Sequence, residues 1–229
     1  MRKIEAKVLL ASCEIHRESF FKKAHYNPNA SYIKKMDKMI EEALEAGKPK
    51  IAYRLVYIES KGDDYVVIEG RKFTSTVLRI NLEKVFKVVA YVITCGVELD
   101  EWSEKYSGGL DFFFADSIKE EILHNATRRV FSTIDDEFNL GKTANMNPGS
   151  LPNWPLTEQK ALFSLLGNVK ELIGVELLES NLMRPVKSVS GFHFSSDNDY
   201  VNCKLCLREK CPGRKAPFCK EEYEKRYKL

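Results

Sequence analysis

The chain has 229 residues, of which 44% are hydrophobic and 30% are charged, as in an ordinary globular protein with one large domain. Its 36 basic and 33 acidic residues leave a net charge of +3, which argues against a nucleic-acid-binding protein. No stretch approaches the roughly 18 apolar residues of a membrane helix, so we expect no membrane span.

One short segment imitates a secretion signal. Leu10-Ala11-Ser12-Cys13 resembles a lipoprotein cleavage box, but the apolar run before the cysteine covers only residues 8–11. A signal peptide needs about 7–15 apolar residues at that place. We therefore expect a cytoplasmic protein.

The first half of the chain predicts one helix followed by strands. Residues 32–46 place apolar side chains three and four positions apart, which is typical of an amphipathic helix. Ile51–Glu59 and Tyr65–Glu69 are rich in Tyr, Val and Ile and flank Gly62-Asp63-Asp64, which predicts a β-hairpin. Two further strands are predicted at Val77–Leu82 and Val85–Thr94, the second one central in a sheet.

The second half predicts helices, a loop and a pair of strands. The predicted elements are a short helix at Glu98–Tyr106, a long helix at Leu110–Phe138, a loop at Asn145–Pro155, a helix running from there to about Leu166, and two paired strands at Ile173–Leu178 and Val186–Ser195. In the long helix, Leu110, Phe114, Ile118, Ile122 and Phe113 predict a stripe facing the core. Because strands and helices do not alternate one for one, the fold class is α+β.

A series of short motifs lies between Asn145 and Ser195. The segment reads N-M-N-P-G-S, then L-T-E-Q-K at the start of a helix, then L-L-E-S, M-R-P and S-V-S-G. This order resembles the activation (reactivation) domain of cobalamin-dependent methionine synthase, which has a Pro-Gly-Tyr loop, Thr-Glu-x-Lys, Leu-Thr-Glu-Ser, Met-x-Pro and Ser-Val-Ser-Gly. Upstream, residues 94–96 and 115–118 resemble that family's strand end and long helix.

The resemblance implies a fold and a cofactor. In that family a curved antiparallel sheet with helices binds S-adenosylmethionine in a shallow groove and presses on cobalamin, where cob(II)alamin is reduced and remethylated. It implies that residues 1–199 form such a domain, as a stand-alone member of the family, and that residues 200–229 form a Cys-rich appendage.

Departures from the family pattern change the expected ligand. Asn145 stands where the family has Arg, and Ser150 where it has Tyr, so a bidentate grip on a carboxylate and an aromatic wall are missing. Leu156 replaces a family His, His193 a family Tyr, and His124 aligns with a family Glu. We therefore expect no tight binding of S-adenosylmethionine and keep cobalamin as the ligand.

The resemblance and these departures define a candidate cofactor surface. Pro supplies rigidity and Gly allows close approach of a backbone, as a ligand-contacting loop requires. His124 and His193 are either imidazole ligands to cobalt or ordinary hydrogen-bonded histidines. The predicted cofactor-binding residues are Asn145, Asn147, Pro148, Gly149, Ser150, Leu151, Leu156, Ser188, Val189, Ser190, His193 and His124.

Four of the six cysteines cluster near the C-terminus. Cys203, Cys206, Cys211 and Cys219 lie within 17 positions, which is enough to enclose one centre with four thiolates. Thiolates favour soft metals, so the candidates are an iron–sulfur cluster (4Fe-4S) and zinc. The resemblance favours the cluster, because reactivation of a corrinoid requires a low-potential electron.

Three functions remain open from the sequence. The first is an accessory protein that binds a corrinoid and takes part in reductive reactivation of a corrinoid methyltransferase system, with a corrinoid protein or methyltransferase and an electron donor as partners. The second is an enzyme that remethylates cobalamin from S-adenosylmethionine as a component of methionine synthase. The third is a non-catalytic, zinc-stapled module that binds a corrinoid.

Overall fold

The computed structural model describes residues 5–197, 200–211 and 214–227. The helices are α1 (Arg17–Lys23), α2 (Ile33–Ala46), α3 (Thr76–Asn81), α4 (Val97–Glu104), α5 (Gly109–Phe138), α6 (Gln159–Leu166) and α7 (Val169–Ile173). The strands are β1 (Lys7–Leu10), β2 (Lys50–Lys61), β3 (Tyr65–Ile68), β4 (Arg71–Thr74), β5 (Lys87–Thr94), β6 (Thr143–Met146), β7 (Glu176–Leu177), β8 (Met183–Arg184) and β9 (Ser188–Ser195). Within these residues no helix has the length and apolar character to cross a membrane.

The architecture is an open, antiparallel, seven-stranded sheet with helices on both faces. The order is β4-β3-β2-β5-β9-β6, and β1 pairs with the first part of β2. All of these pairings are antiparallel, and β7 and β8 form a separate small hairpin. The α+β class is therefore confirmed, with β5 and β9 as inner strands.

The alternation of side chains along β5 divides the core into two layers. Val89, Tyr91 and Ile93 face a layer that contains residues of α1, α2, α4 and α5. Val88, Ala90 and Val92 face the opposite layer, with residues of α3, α6 and α7. Since successive strand residues point to opposite faces, a central strand with a helix layer on each side must be apolar along its length.

Two predictions of local structure are wrong. Val77–Leu82 is not a strand, because α3 occupies residues 76–81 and Ser75 caps it by accepting a hydrogen bond from the Leu78 N–H at 3.1 Å. Ile173–Leu178 does not pair with the segment Val186–Ser195. Only Glu176–Leu177 is extended, and it pairs with β8, whereas β9 pairs with β5 and β6.

The predicted stripe on α5 is only partly correct. Phe114, Ile118 and Ile122 are buried as predicted, but Leu110 and Phe113 are 65% and 63% exposed. They belong to the first two turns of α5, where the helix begins after Gly108. The helix is thus longer than the layer that covers it at this end.

The C-terminal tail packs against the main core. Tyr200, Leu205 and Tyr227 are buried with the layer of α6 and α7. The Tyr227 hydroxyl donates to Asn81 Oδ1 of α3 at 3.1 Å. The predicted boundary between residues 199 and 200 falls at the edge of a gap, since residues 198–199 lie outside the described part of the chain.

Candidate functional site

The loop after β6 is fixed to the centre of the sheet by Asn147. Its Nδ2 donates at 2.8 Å to the Tyr91 hydroxyl and at 2.8 Å to the Ser190 carbonyl oxygen. Burial raises the pKa of Tyr91, so this hydroxyl stays protonated. A Cβ on Gly191 would lie 2.3 Å from the Met146 carbonyl oxygen, and glycine is therefore required for this close approach.

A tight turn follows Asn147. Gly149 has φ +80, and its N–H donates to the Trp154 carbonyl oxygen at 2.7 Å. A Cβ on Gly149 would lie 2.8 Å from Leu156 Cδ1. Glycine is thus demanded by the left-handed backbone and by a neighbour within the protein, so its presence alone does not indicate a ligand.

Buried residues anchor this loop from below. Trp154 is 1% exposed and stacks on Phe192 of β9, with the ring centroids 5.6 Å apart. Pro148 and Leu151 are also buried, whereas Gly149 and Ser150 are exposed. The loop therefore presents a short exposed segment on a rigid support.

The serines of β9 are internal. The Ser190 hydroxyl donates to Gln159 Oε1 at 2.7 Å, and the Ser188 hydroxyl donates to the Pro185 carbonyl oxygen at 2.7 Å. Ser190 is 3% exposed and Ser188 is 9% exposed. These two predicted ligand-facing hydroxyls instead join β9 to α6 and to the preceding turn, while Val189 packs partly buried on the opposite face.

His193 lies under α5. Its imidazole is 3% exposed, stacks on Phe131 with the centroids 4.2 Å apart, and places Nε2 2.6 Å from Asp135 Oδ1. Burial lowers the pKa of His193, and Asp135 opposes this shift only in part. The neutral ring donates from Nε2 to the carboxylate, which leaves Nδ1 with its lone pair buried and without a hydrogen-bond partner among the residues that the structure describes.

His124 lies on α5, two helical turns or about 10 Å before Phe131. It is partly exposed. Burial lowers the pKa of His124, and the charge of Lys23 lowers it further. Both histidines therefore favour the neutral form, which is the form that can bind a metal.

The structure brings together only some of the predicted residues. Asn145 is the register partner of His193 across β6 and β9, and Asn147 contacts β9 directly. Leu156 contacts Gly149. The two segments of the predicted surface are therefore adjacent, and their exposed portion is limited to the loop.

The sequence analysis missed the residues that support this surface. Asp135 pairs with His193, and Glu137 accepts from the Tyr53 hydroxyl at 2.7 Å. Gln159, 2% exposed, joins Ser190 to the Asn181 carbonyl oxygen. Only the position of Asp135 one turn after Phe131 gave a signal, since it places both on one face of α5.

The four tail cysteines lie on segments joined by backbone hydrogen bonds. Lys215 N–H donates to Cys203 Sγ at 3.3 Å, and Cys219 N–H donates to the Lys204 carbonyl oxygen at 2.8 Å. The Arg214 guanidinium donates to the carbonyl oxygens of Cys203 and Cys206 at 3.0 and 3.2 Å. Arg214 therefore holds the tail segments around one point.

The thiols themselves are free and partly buried. Within residues 5–197, 200–211 and 214–227, no three His, Cys, Asp or Glu side chains are close enough to hold a metal ion. A site with four thiolate ligands would require the four cysteine side chains to move closer together than they are here. The other two cysteines lie outside the tail, and burial raises the pKa of Cys13 to about 11 and that of Cys95 to about 12.

The chain is similar in sequence and in structure to a known domain family. Residues 146–212 match the family model described as the activation domain of vitamin B12 dependent methionine synthase. A crystal structure of the MetH reactivation domain bound to AdoHcy superposes with a TM-score of 0.60 at 16% identity, covering 87% of this chain and 81% of that one. The chain is thus similar to the methionine synthase activation domain, in sequence over residues 146–212 and in fold over most of its length. None of the curated proteins matches its sequence.

The matched segment coincides with the candidate site. It begins at the last residue of β6 and includes the Asn147–Pro155 loop, α6, β9 and three of the four tail cysteines. The activation-domain resemblance predicted from the sequence is therefore confirmed. The likeness in structure extends to most of the chain and concerns the fold.

Proposed function

We propose that this chain presents the loop after β6 to the corrinoid of a partner protein and takes part in reductive reactivation of a corrinoid methyltransferase system. The observation that carries the proposal is that Asn147, within the segment that matches the activation-domain family, bonds its loop to Tyr91 of β5 and to Ser190 of β9. The expected partners are a corrinoid protein or methyltransferase and a separate electron donor.

The exposed part of the loop suits a flat ligand. Gly149 and Ser150 offer backbone and one hydroxyl, and the Ser150 Oγ already donates to the Asn147 carbonyl oxygen at 2.5 Å. Partly exposed Asn145 and Leu156 border them. Because the loop is held by Asn147 and Trp154, a planar macrocycle would meet a preorganised surface, which reduces the entropic cost of binding.

The donor set does not fit S-adenosylmethionine. A carboxylate ligand calls for a guanidinium, and the amide of Asn145 supplies no charge. The space beside Gly149 is occupied by Leu156 Cδ1. We therefore derive no methyl transfer from this ligand. Micromolar binding of S-adenosylmethionine in calorimetry would favour the second function, remethylation of cobalamin.

The role requires one-electron reduction of cob(II)alamin to cob(I)alamin, with the electron supplied by an external donor. The residues of this chain would position the cofactor face and exclude water from it. His124 and His193 are proposed imidazole contacts to cobalt, and the burial of His193 under Phe131 means that such contact would require the α5 side to open.

An anaerobic titration with cob(II)alamin, followed by absorbance and electron paramagnetic resonance, tests this proposal. The full chain should give a saturable spectral change. Ser150→Arg places a long cation on the exposed segment and should weaken binding by about tenfold or more. Ser107→Arg, on another exposed loop, is the matched control and should bind like wild type. No spectral change, or equal binding by both variants, would refute the proposal.

We further propose that Cys203, Cys206, Cys211 and Cys219 bind one metal centre. The support is the sequence spacing together with the hydrogen bonds of Arg214 to the carbonyl oxygens of Cys203, Cys206 and Cys211 and of Cys219 to that of Lys204. The N–H of Lys215, which donates to Cys203 Sγ, is the kind of outer hydrogen bond that orients a metal ligand. An iron–sulfur cluster would supply an electron relay, whereas zinc would only staple the tail.

Metal analysis of anaerobically purified protein separates these alternatives. Iron and sulfide in similar amounts indicate a cluster; zinc without iron indicates the staple and the third, non-catalytic function. Cys206→Ser should lose most of the metal, and Cys13→Ser, outside the tail, should retain it. Wild-type protein that is purified without metal and binds neither iron with sulfide nor zinc on reconstitution would exclude this metal centre.

A further inference from the structure

A polar cleft opens on the flank of α5 that is turned away from the candidate site. It has a volume of about 460 Å³ and lies between α5 and the segment that follows β1. Phe131 and Asp135 on the other flank contact His193. The cleft is therefore distinct from the loop after β6 that forms the exposed part of the corrinoid surface, whereas His124 lies one helical turn before Arg128.

Side chains at helical spacing form one wall. Asn125, Arg129 and Thr133 recur every four residues, and Arg128 and Ser132 lie beside them. Residues four apart on a helix share a face, so two guanidinium groups and the Ser132 hydroxyl line this space. The Asn125 amide nitrogen and the Thr133 hydroxyl also line it, but they donate to the carbonyl oxygens of Glu14 and Arg129 at 3.0 and 3.3 Å. Such a set donates hydrogen bonds and carries positive charge, which suits an anion with several oxygens.

The two guanidinium groups are neutralised only in part. Arg128 Nη2 contacts only the Asn125 Oδ1 at 3.4 Å, and no ion pair of the described residues includes Arg128. Arg129 approaches the carboxylate of Glu14 only to 4.0 Å, and its side chain is 67% exposed. Elsewhere on this side of the protein, Arg17 makes a two-point pair with Asp37. The cleft therefore holds one positive charge more than its carboxylate offsets, on Arg128, and this charge can attract an external anion.

An apolar hollow continues the cleft. It has a volume of about 290 Å³, is lined by residues 9–12 and Val130, and shares Arg129 and Thr133 with the polar part. Leu10 in this hollow is 75% exposed. A ligand that spans both parts would have a charged head and a small apolar body.

We propose that this cleft binds a small phosphorylated molecule. The phosphate oxygens lie against Arg128 and Arg129, with the hydroxyls of Ser132 and Thr133 as further contacts. The apolar part of the ligand lies over Leu10 and Ala11. Together the two hollows have the size typical of small-molecule sites, roughly 300–1,000 Å³.

Calorimetry with inorganic phosphate and with phenyl phosphate tests this site on the full chain. Both should bind saturably at low ionic strength, and phenyl phosphate should bind more tightly because its ring covers the apolar hollow. Arg128→Gln with Arg129→Gln should weaken both by about tenfold or more, because charge-assisted hydrogen bonds are lost. Glu14→Gln should tighten binding, since a competing carboxylate is removed.

The matched control is Lys34→Gln with Lys38→Gln on α2, which removes the same charge outside the cleft. This pair should bind phosphate like wild type. Heats that do not saturate with either ligand, or equal loss in the control pair, would overturn the proposal. Cob(II)alamin binding by the Arg128/Arg129 pair is measured in parallel and should be unchanged, which separates failure of this site from failure of the corrinoid surface.

Discussion

The carboxamide nitrogen of Asn147 lies 2.8 Å from the hydroxyl of Tyr91, and this bond connects the candidate loop to the centre of the sheet. The same nitrogen bonds the Ser190 carbonyl oxygen, so one side chain spans β5 and β9. The orientation of the exposed Gly149 and Ser150 thus depends on a contact that lies beneath them.

Asn147→Ala removes both donors of this carboxamide. The Tyr91 hydroxyl and the Ser190 carbonyl oxygen lose a partner in a part-buried place, so the free energy of unfolding should fall by about 1–3 kcal/mol. Urea denaturation measures this. Ser150→Ala, which removes an exposed hydroxyl of the same loop, should cost at most about 1 kcal/mol; an equal loss in both variants would contradict the anchoring role.

Gly191→Ala tests the close approach of β6 to β9. The added methyl group would meet the Met146 carbonyl oxygen at 2.3 Å and Asn147 Nδ2 at 2.7 Å. Because a backbone carbonyl cannot move aside as a flexible side chain can, we expect the free energy of unfolding to fall by about 3 kcal/mol. Gly108→Ala is the control, because nothing lies within 4 Å and its φ is −127. It should change stability by at most about 0.5 kcal/mol.

The buried His193 predicts a loss of stability in acid. Its pKa is lowered in the folded protein from the ordinary value of 6.5, mainly by burial. Below pH 6.5 the unfolded chain therefore takes up a proton that the folded chain resists, and the stability present above that pH is lost as the pH falls. Denaturation at a series of pH values should show a smaller acid loss in His193→Gln than in wild type.

Asp135→Asn refines the same measurement. The carboxylate raises the pKa of His193 and so opposes the effect of burial. Removing its charge should lower the pKa further and steepen the loss of stability in acid. Asp136→Asn, the exposed neighbour, should leave the pH profile unchanged, and a profile unaffected by either substitution would show that His193 is not protected in this way.

Tyr227 provides a test of the attachment of the tail. Tyr227→Ala empties a fully buried position and should cost about 3–5 kcal/mol. Tyr227→Phe removes only the hydroxyl that donates to Asn81 and should cost about 1 kcal/mol. Limited proteolysis should cut the tail faster in the alanine variant alone. Equal cutting in all three proteins would indicate that the tail does not depend on this contact.

Local patterns predicted the elements whose signal is periodic. The apolar stripe of α2 and the apolar run of β5 are buried along their length, so the periodicity of each segment predicts whether it is a helix or a strand. The predicted strand at Val77–Leu82 is instead helical over residues 76–81. Its buried residues follow a helical spacing, and Ser75 with Thr76 offered a start signal that was overlooked.

The candidate site was predictable only where its residues are adjacent in sequence. The Pro148-Gly149 turn was found through its motif, whereas the pairing of Asp135 with His193 joins residues 58 positions apart. The burial of Ser188 and Ser190 likewise depends on residues distant in sequence or on a turn, namely Gln159 of α6 and Pro185. No pattern of neighbouring residues in the sequence indicates contacts of this kind.

Hydrogen–deuterium exchange of the full chain with and without cob(II)alamin, under anaerobic conditions, tests the central claim most directly. The corrinoid surface predicts slower exchange in peptides covering residues 147–156, with no change in α2. Unchanged exchange at residues 147–156 at saturating cobalamin, or protection confined to another part of the chain, would contradict it.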